Sequence, residues 1–425
     1  MTQTNQIFER IQVLPQTLRI KIAKWLDEYV GRVLIALVRG LRFSGRGVNG
    51  SATRSRILVI KFWGLGSIIL LEPALRLLRE RYPQARIDFL TLSQNRELFA
   101  FLPQVTRVHA LDFHSPARFM LRTVKLILRL RQQRYDLIFD AEFFANFSAL
   151  VARLAAPQTL VGFSRPRGHK RELLDLAVPF HDGEHAAQNF LRLILAEPNA
   201  PDKRAVLPSL RDISPRLRFP APTRARCENP NVVINVNASP LALERRWPQE
   251  NFAQLARWLL RRYEIKLVLV GNAAEKKYTQ HVMDAINAPE RARNLAGALS
   301  LRELASLIND AALFISNDSG PLHLAAALQK PVVGFYGPET PNRFGPLCER
   351  RLIFYLGLLC SPCMSVDNAK TVNCTNHLRC MRELRAQNVI PALQLFITQH
   401  QLLPLRATRS HAEITTQIGA SPYAV

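Results

Sequence analysis

Along most of the chain, short apolar runs alternate with stretches in which apolar residues recur about every three or four positions. The runs read as buried strands and the periodic stretches as amphipathic helices. In the first half, strands are expected at 56–61, 86–91, 105–111, 136–140 and 160–163, with helices at 68–82, 118–132, 148–154 and 185–195. A Pro- and Arg-rich stretch of weak periodicity, 198–226, breaks the alternation and reads as a linker. Strands are expected again at 232–237, 266–271, 293–295, 313–316 and 331–336, with helices at 252–263, 278–286, 301–309 and from Pro321. Such alternation on both sides of a Pro-rich join indicates an α/β chain of two Rossmann-like, doubly wound domains facing a cleft, at 55–215 and 228–385.

Residues 1–54 stand apart as a basic arm and linker. Ile20, Ala23, Leu26, Val30, Val33, Leu34, Leu37 and Leu41 recur at helical spacing, with Lys21, Lys24, Arg32, Arg39 and Arg42 among them. With Trp25 and Tyr29, such a helix suits a membrane interface, and it suits docking on the protein's own body equally.

The richest stretch is Asn317-Asp318-Ser319-Gly320-Pro321-Leu322-His323, between two expected strands. The first four are turn and cap formers, and Pro fits the first turn of a helix. Polar residues at a strand end before a helix start suit a phosphate, although a plain βαβ crossover needs the same residues for turn geometry. Phe62-Trp63-Gly64-Leu65-Gly66-Ser67 is a comparable turn after the first strand. It is not the dinucleotide fingerprint, because Ile69 occupies the third glycine position.

Lys and Arg number 57 against 33 Asp and Glu, a net charge of +24. That balance favours an anionic partner. No nucleic-acid-binding signature accompanies it, so nucleic acid is the weaker choice. The run Arg165-Pro166-Arg167-Gly168-His169-Lys170-Arg171 is either a phosphate- or carboxylate-holding loop or a solvated turn. No transmembrane run and no secretory signal are seen, so the expectation is a cytoplasmic protein.

Five pieces in order carry a family resemblance: 57–67 with Pro73; Asp140-Ala141-Glu142; Arg245-Arg246-Trp247-Pro248 with Phe252; Gly297 with Leu299-Ser300-Leu301; and 317–327 with Gly334-Phe335-Tyr336-Gly337-Pro338. Over 56–392 the chain resembles glycosyltransferase family 9, the heptosyltransferases of lipopolysaccharide core assembly. The resemblance implies a GT-B fold, with the donor held by the C-terminal domain and the acceptor by the N-terminal one. It implies inverting transfer of a sugar from a nucleotide-sugar donor to an anionic, lipid-linked glycan at the inner membrane surface. No cofactor is implied for catalysis.

Residue by residue, Asp318, Ser319, Gly320 and His323 match the family's donor loop, Arg245 its phosphate-binding cation and Leu299 its nucleobase contact. Glu275 is a candidate for the ribose. Lys61 and Gly66 match the acceptor side, to which Arg165 and Arg167 are added. The segment 386–403 is expected to cross back onto the first domain, and 404–425 to be a mobile tail.

One departure matters. The family's Gly-Asp in the first turn is here Gly66-Ser67, and a serine cannot deprotonate an acceptor unaided. Glu142 and Asp140 are the substitutes expected, and Glu72 a weaker one. If none serves, the chain is a degenerate transferase that only binds nucleotide or glycan; an epimerase or hydrolase of GT-B shape is the other alternative. Finally, Cys360, Cys363, Cys374 and Cys380 have a spacing that suits a structural zinc, packed thiols or disulfides.

Overall fold

A computed structural model describes residues 16–40, 54–112, 116–165, 168–197, 207–219, 231–239, 242–365, 368, 372 and 374–406. The tail expected beyond 406 lies outside the described residues, as does most of the arm-to-body linker. The chain divides into two compact units, Met1–Ile213 and Ser214–Val425.

The first unit opens with α1 (Gln16–Gly40) and continues with β1 (Arg56–Ile60), α2 (Leu65–Leu70), α3 (Glu72–Arg81), β2 (Arg86–Leu92), β3 (Arg107–Leu111) and α4 (Pro116–Gln133). Then come β4 (Leu137–Asp140), α5 (Asn146–Leu154), β5 (Thr159–Ser164), β6 (Leu176–Pro179) and α6 (Ala186–Leu195). All strands are parallel, in the order β3-β2-β1-β4-β5-β6. The helix expected over 68–82 is two helices, because Pro73 in the first turn of α3 brings no N–H and favours a fresh start.

The arm is not an appendage. Ile35 and Val38 of α1 are buried with Ala149, Leu150 and Leu173. Asp27 caps α5 from outside, accepting from the Asn146 and Phe147 N–H groups at 2.9 and 2.8 Å. The stripe docked on the body is thus Gly31, Ile35 and Val38, whereas Leu26, Val30, Val33, Leu34 and Leu37 stay exposed.

The second unit runs β7 (Asn231–Asn235), α7 (Gln249–Arg262), β8 (Lys266–Val270), α8 (Lys276–Ile286), β9 (Ala292–Asn294), α9 (Leu301–Asp310), β10 (Ala311–Asn317) and α10 (Gly320–Ala327). It closes with β11 (Val332–Tyr336), α11 (Pro341–Phe344), β12 (Arg351–Tyr355), α12 (Arg379–Arg382) and α13 (Ala386–Gln399). Its parallel sheet has the order β12-β11-β10-β7-β8-β9, the same winding as the first. Helix α13 buries Val389, Leu393 and Phe396 in this unit's own core with Leu255 and Leu259 of α7. The edge strands β6 and β12 were not expected.

Candidate active site

Open parallel sheets bind ligands beyond the carboxyl ends of their strands, where the strand order reverses. That point lies between β1 and β4 in the first sheet and between β7 and β10 in the second. Each carries a cluster of buried polar side chains.

In the first, Lys61 follows β1 and Asp140 ends β4, joined by an Ala141 N–H to Ile60 carbonyl bond of 3.0 Å. Glu142 Oε2 accepts from Lys61 Nζ at 2.8 Å, and its Oε1 from the Phe62 and Trp63 N–H groups at 2.6 and 2.8 Å. The carboxylate thereby fixes the turn after β1. There Gly64, at φ +85°, takes the left-handed conformation that leads into α2. Asp140 Oδ2 accepts from Lys170 Nζ at 2.7 Å and Ser148 Oγ at 2.9 Å, and its Oδ1 from the Glu142 N–H at 3.2 Å. Burial pushes the Asp140 carboxyl up and the Lys61 ammonium down, against the opposing pull of Lys170 and Glu142 respectively.

Asp140 and Glu142, the candidate bases, are both almost wholly buried and each has both oxygens engaged. Glu142 is bonded to the turn after β1, and Asp140 to Lys170 and Ser148. Lys61, expected to hold an acceptor anion, has its ammonium on Glu142 and 4.4 Å from the centre of the Phe143 ring. Ser67 is half-buried in the first turn of α2, beside buried Gly66. Arg165 is half-buried in a turn closed by Gly168 N–H to its carbonyl at 3.1 Å; Arg167 lies outside the described residues. Lys170 was passed over as one more charge in a basic run, and no feature of that run singles it out as the buried one.

In the second unit, Arg245 Nη1 donates to Asp318 Oδ2 at 2.9 Å. Both side chains are mostly buried, and the loop bearing Arg245 is pinned from behind. The Trp247 N–H donates to Asn317 Oδ1 at 2.8 Å, its indole N–H donates to the Leu384 carbonyl, and its ring stacks on Phe335 at 4.0 Å. Ser319 caps α10: its Oγ accepts from the Leu322 N–H at 3.4 Å, meets Ser316 Oγ at 2.8 Å and accepts from Asn235 Nδ2 at 3.1 Å. Pro321 brings no N–H, so Gly320 carries the first donor of the helix. His323 sits in the first turn, buried.

Two neighbouring strand ends carry the other donor-side candidates. Glu275 closes a capping box with Asn272, and burial raises its carboxyl. The Gly297 N–H donates to the Gly271 carbonyl at 2.9 Å, and Gly297 at φ +77° packs so near Ala273 that a Cβ would come within 2.9 Å of its Cα. Leu299, half-buried, precedes the Ser300–Glu303 capping box of α9. Asn237 ties these loops to the centre: its Nδ2 donates to the Val270 carbonyl at 3.2 Å and its Oδ1 accepts from Arg246 at 3.5 Å. Asn235 and Asn237 were missed; their signal was an Asn-x-Asn pair at a strand end.

Cys360, Cys363, Cys374 and Cys380 line one small pocket. All are free thiols; burial, then the neighbouring sulfurs, pushes Cys380 up to about 12. Among the described residues no group of three or more His, Cys, Asp or Glu side chains is placed to hold a metal ion.

Two Rossmann-type parallel sheets, each with buried polar side chains at its switch point, make up the fold of a glycosyltransferase of GT-B type. The chain belongs to glycosyltransferase family 9 (heptosyltransferase), whose signature matches residues 123–373. It is 29% identical over 319 residues to lipopolysaccharide heptosyltransferase 2 of Escherichia coli (strain K12), covering 71% of this chain and 88% of that protein. In three dimensions it is similar to the E. coli ADP-heptose lps heptosyltransferase II, with a TM-score of 0.62 and 24% identity over 81% of this chain and 99% of that one. The glycosyl transferase family 9 structure from Veillonella parvula gives 0.64, at 18% identity over 82% and 99%.

Proposed function

We propose that this glycosyltransferase moves heptose from ADP-heptose to a lipopolysaccharide-core acceptor, with inversion at the anomeric carbon. The names of its relatives supply the substrates; the observation that carries the reading is the Arg245–Asp318 pair beside the start of α10. Arg245 neutralises the leaving diphosphate together with the Gly320 N–H and the helix dipole, a role that a metal ion fills in other transferases. Asp318 orients the guanidinium and accepts from sugar hydroxyls. Ser319 and His323 shape the helix start, Glu275 takes the ribose and Leu299 packs on the base.

On the acceptor side, Glu142 and Asp140 hold the β1 turn and its Ser67 in place, while Arg165 and Arg167 attract the anionic glycan. The enzyme works at the cytoplasmic face of the inner membrane, which α1 touches. No helix among the described residues is long and apolar enough to cross a membrane.

The test is ADP release from ADP-heptose with and without a heptose-deficient lipopolysaccharide core. Release that requires the acceptor is expected. Release without acceptor points to a hydrolase or epimerase, and binding without turnover to a degenerate transferase; either overturns the proposal.

A further inference from the structure

Helix α4 exposes an apolar stripe that the site does not use. Met120, Leu121, Val124 and Leu128 are each 52–66% exposed, while Thr123, Leu126 and Leu130 on its other side are buried. A monomeric surface rarely leaves so many large apolar groups together in water. One flank of the stripe is basic, with Arg122, Lys125 and Arg129 exposed; Arg131 is exposed at the stripe's end, and the helix sequence contains no acidic residue. Arg122 pairs with Asp112 at 2.5 Å; Lys125 and Arg129 have no ion-pair partner among the described residues.

Helix α1 exposes a second stripe, including Trp25, Val33 and Leu37. Both helices reach the same residue of α5. Asp27 of α1 accepts from the Phe147 N–H, and Phe119 of α4 lies 5.3 Å from the Phe147 ring. Both helices thus reach the amino end of α5.

We infer that α4 is a second membrane-contact element, forming with α1 a bipartite surface for an anionic phospholipid bilayer. This rests on the reading that the enzyme works at a membrane. The occupant follows from the charge pattern: an apolar stripe bordered by a row of Lys and Arg fits acyl chains below anionic headgroups. Two elements also give firmer attachment than either alone, since the second contact forms at high effective concentration.

The test is co-sedimentation of the full chain with vesicles of phosphatidylcholine, with and without phosphatidylglycerol. The wild type is expected to bind the anionic vesicles and to lose binding as salt rises. The pairs Val124→Glu/Leu128→Glu and Lys125→Ser/Arg129→Ser are each expected to reduce partitioning at least about tenfold, with melting temperature and ADP affinity unchanged. The second pair alters only exposed charge and guards against a folding defect in the first. Wild-type binding that both pairs leave intact overturns the role of α4 while the membrane reading stands. No wild-type binding overturns both. A dimer that the same substitutions dissociate, without vesicle binding, assigns the face to a second copy and also overturns the inference.

Discussion

The Lys61 ammonium and the Glu142 carboxylate lie 2.8 Å apart, both almost fully buried, just beyond the two strands where the first sheet reverses order. Removing one partner of such a pair strands a charge away from water, which costs about 3–5 kcal/mol, whereas removing both does not. Glu142→Gln is therefore expected to lower the melting temperature sharply, and Lys61→Met added to it to restore part of the loss. Equal melting of Glu142→Gln and wild type would show that the pair does not hold the turn.

Arg245→Ala is expected to weaken ADP binding about 10- to 100-fold, the value of a charge-assisted bond to phosphate. Adenosine, which lacks phosphates, should bind both proteins alike. Calorimetry with the two ligands checks this, and an equal loss for adenosine would move Arg245 away from the diphosphate.

Asp88 supplies a pH signature. Burial opposes its charge, but hydrogen bonds from His109, Arg86 and Tyr135 outweigh that and hold the carboxyl down at about 2. In the unfolded chain the same group titrates near 4. Its contribution, about 2 kcal/mol, is fully present above about pH 4 and lost as pH falls towards 2, because the unfolded chain takes the proton first. Asp88→Asn is expected to flatten that part of the acid unfolding curve, followed by circular dichroism.

The cysteines should separate by exposure. Cys360 and Cys374 are exposed, so a thiol reagent is expected to modify them in the native protein. Cys348 and Cys380 are buried, with thiols pushed up to about 12, and should react only after unfolding. Mass spectrometry of the labelled peptides reads the order. Protection of Cys360 and Cys374 that a chelator removes would instead reveal a bound metal.

The two-unit α/β plan was legible because parallel strands buried on both faces appear as continuous apolar runs, and the helices between them keep their period. The loop after β10 was legible too, since Asn317–Gly320 is local: its turn formers, cap and Pro321 are neighbours in sequence. What could not be read were relations made by folding across distance. Glu142 gives no sign in sequence that its two oxygens will be taken by Lys61 and two backbone N–H groups of the turn after β1. Lys170 looks like its neighbours in the basic run until the fold places it on Asp140. In α1, periodicity picked out Leu26, Val30, Val33, Leu34 and Leu37, which stay exposed, and not Gly31, Ile35 and Val38, which dock on the body.

Gly31 lets α1 come so near α5 that a Cβ there would stand 2.9 Å from that of Asn146. With Asp27 on the first N–H groups of α5, the arm grips the point where the 141–145 loop ends. The arm thus serves as a cap for a helix that offers its own first N–H groups no side-chain partner. An enzyme shortened at its amino end would leave those donors to water, at the helix start that follows the segment carrying Glu142.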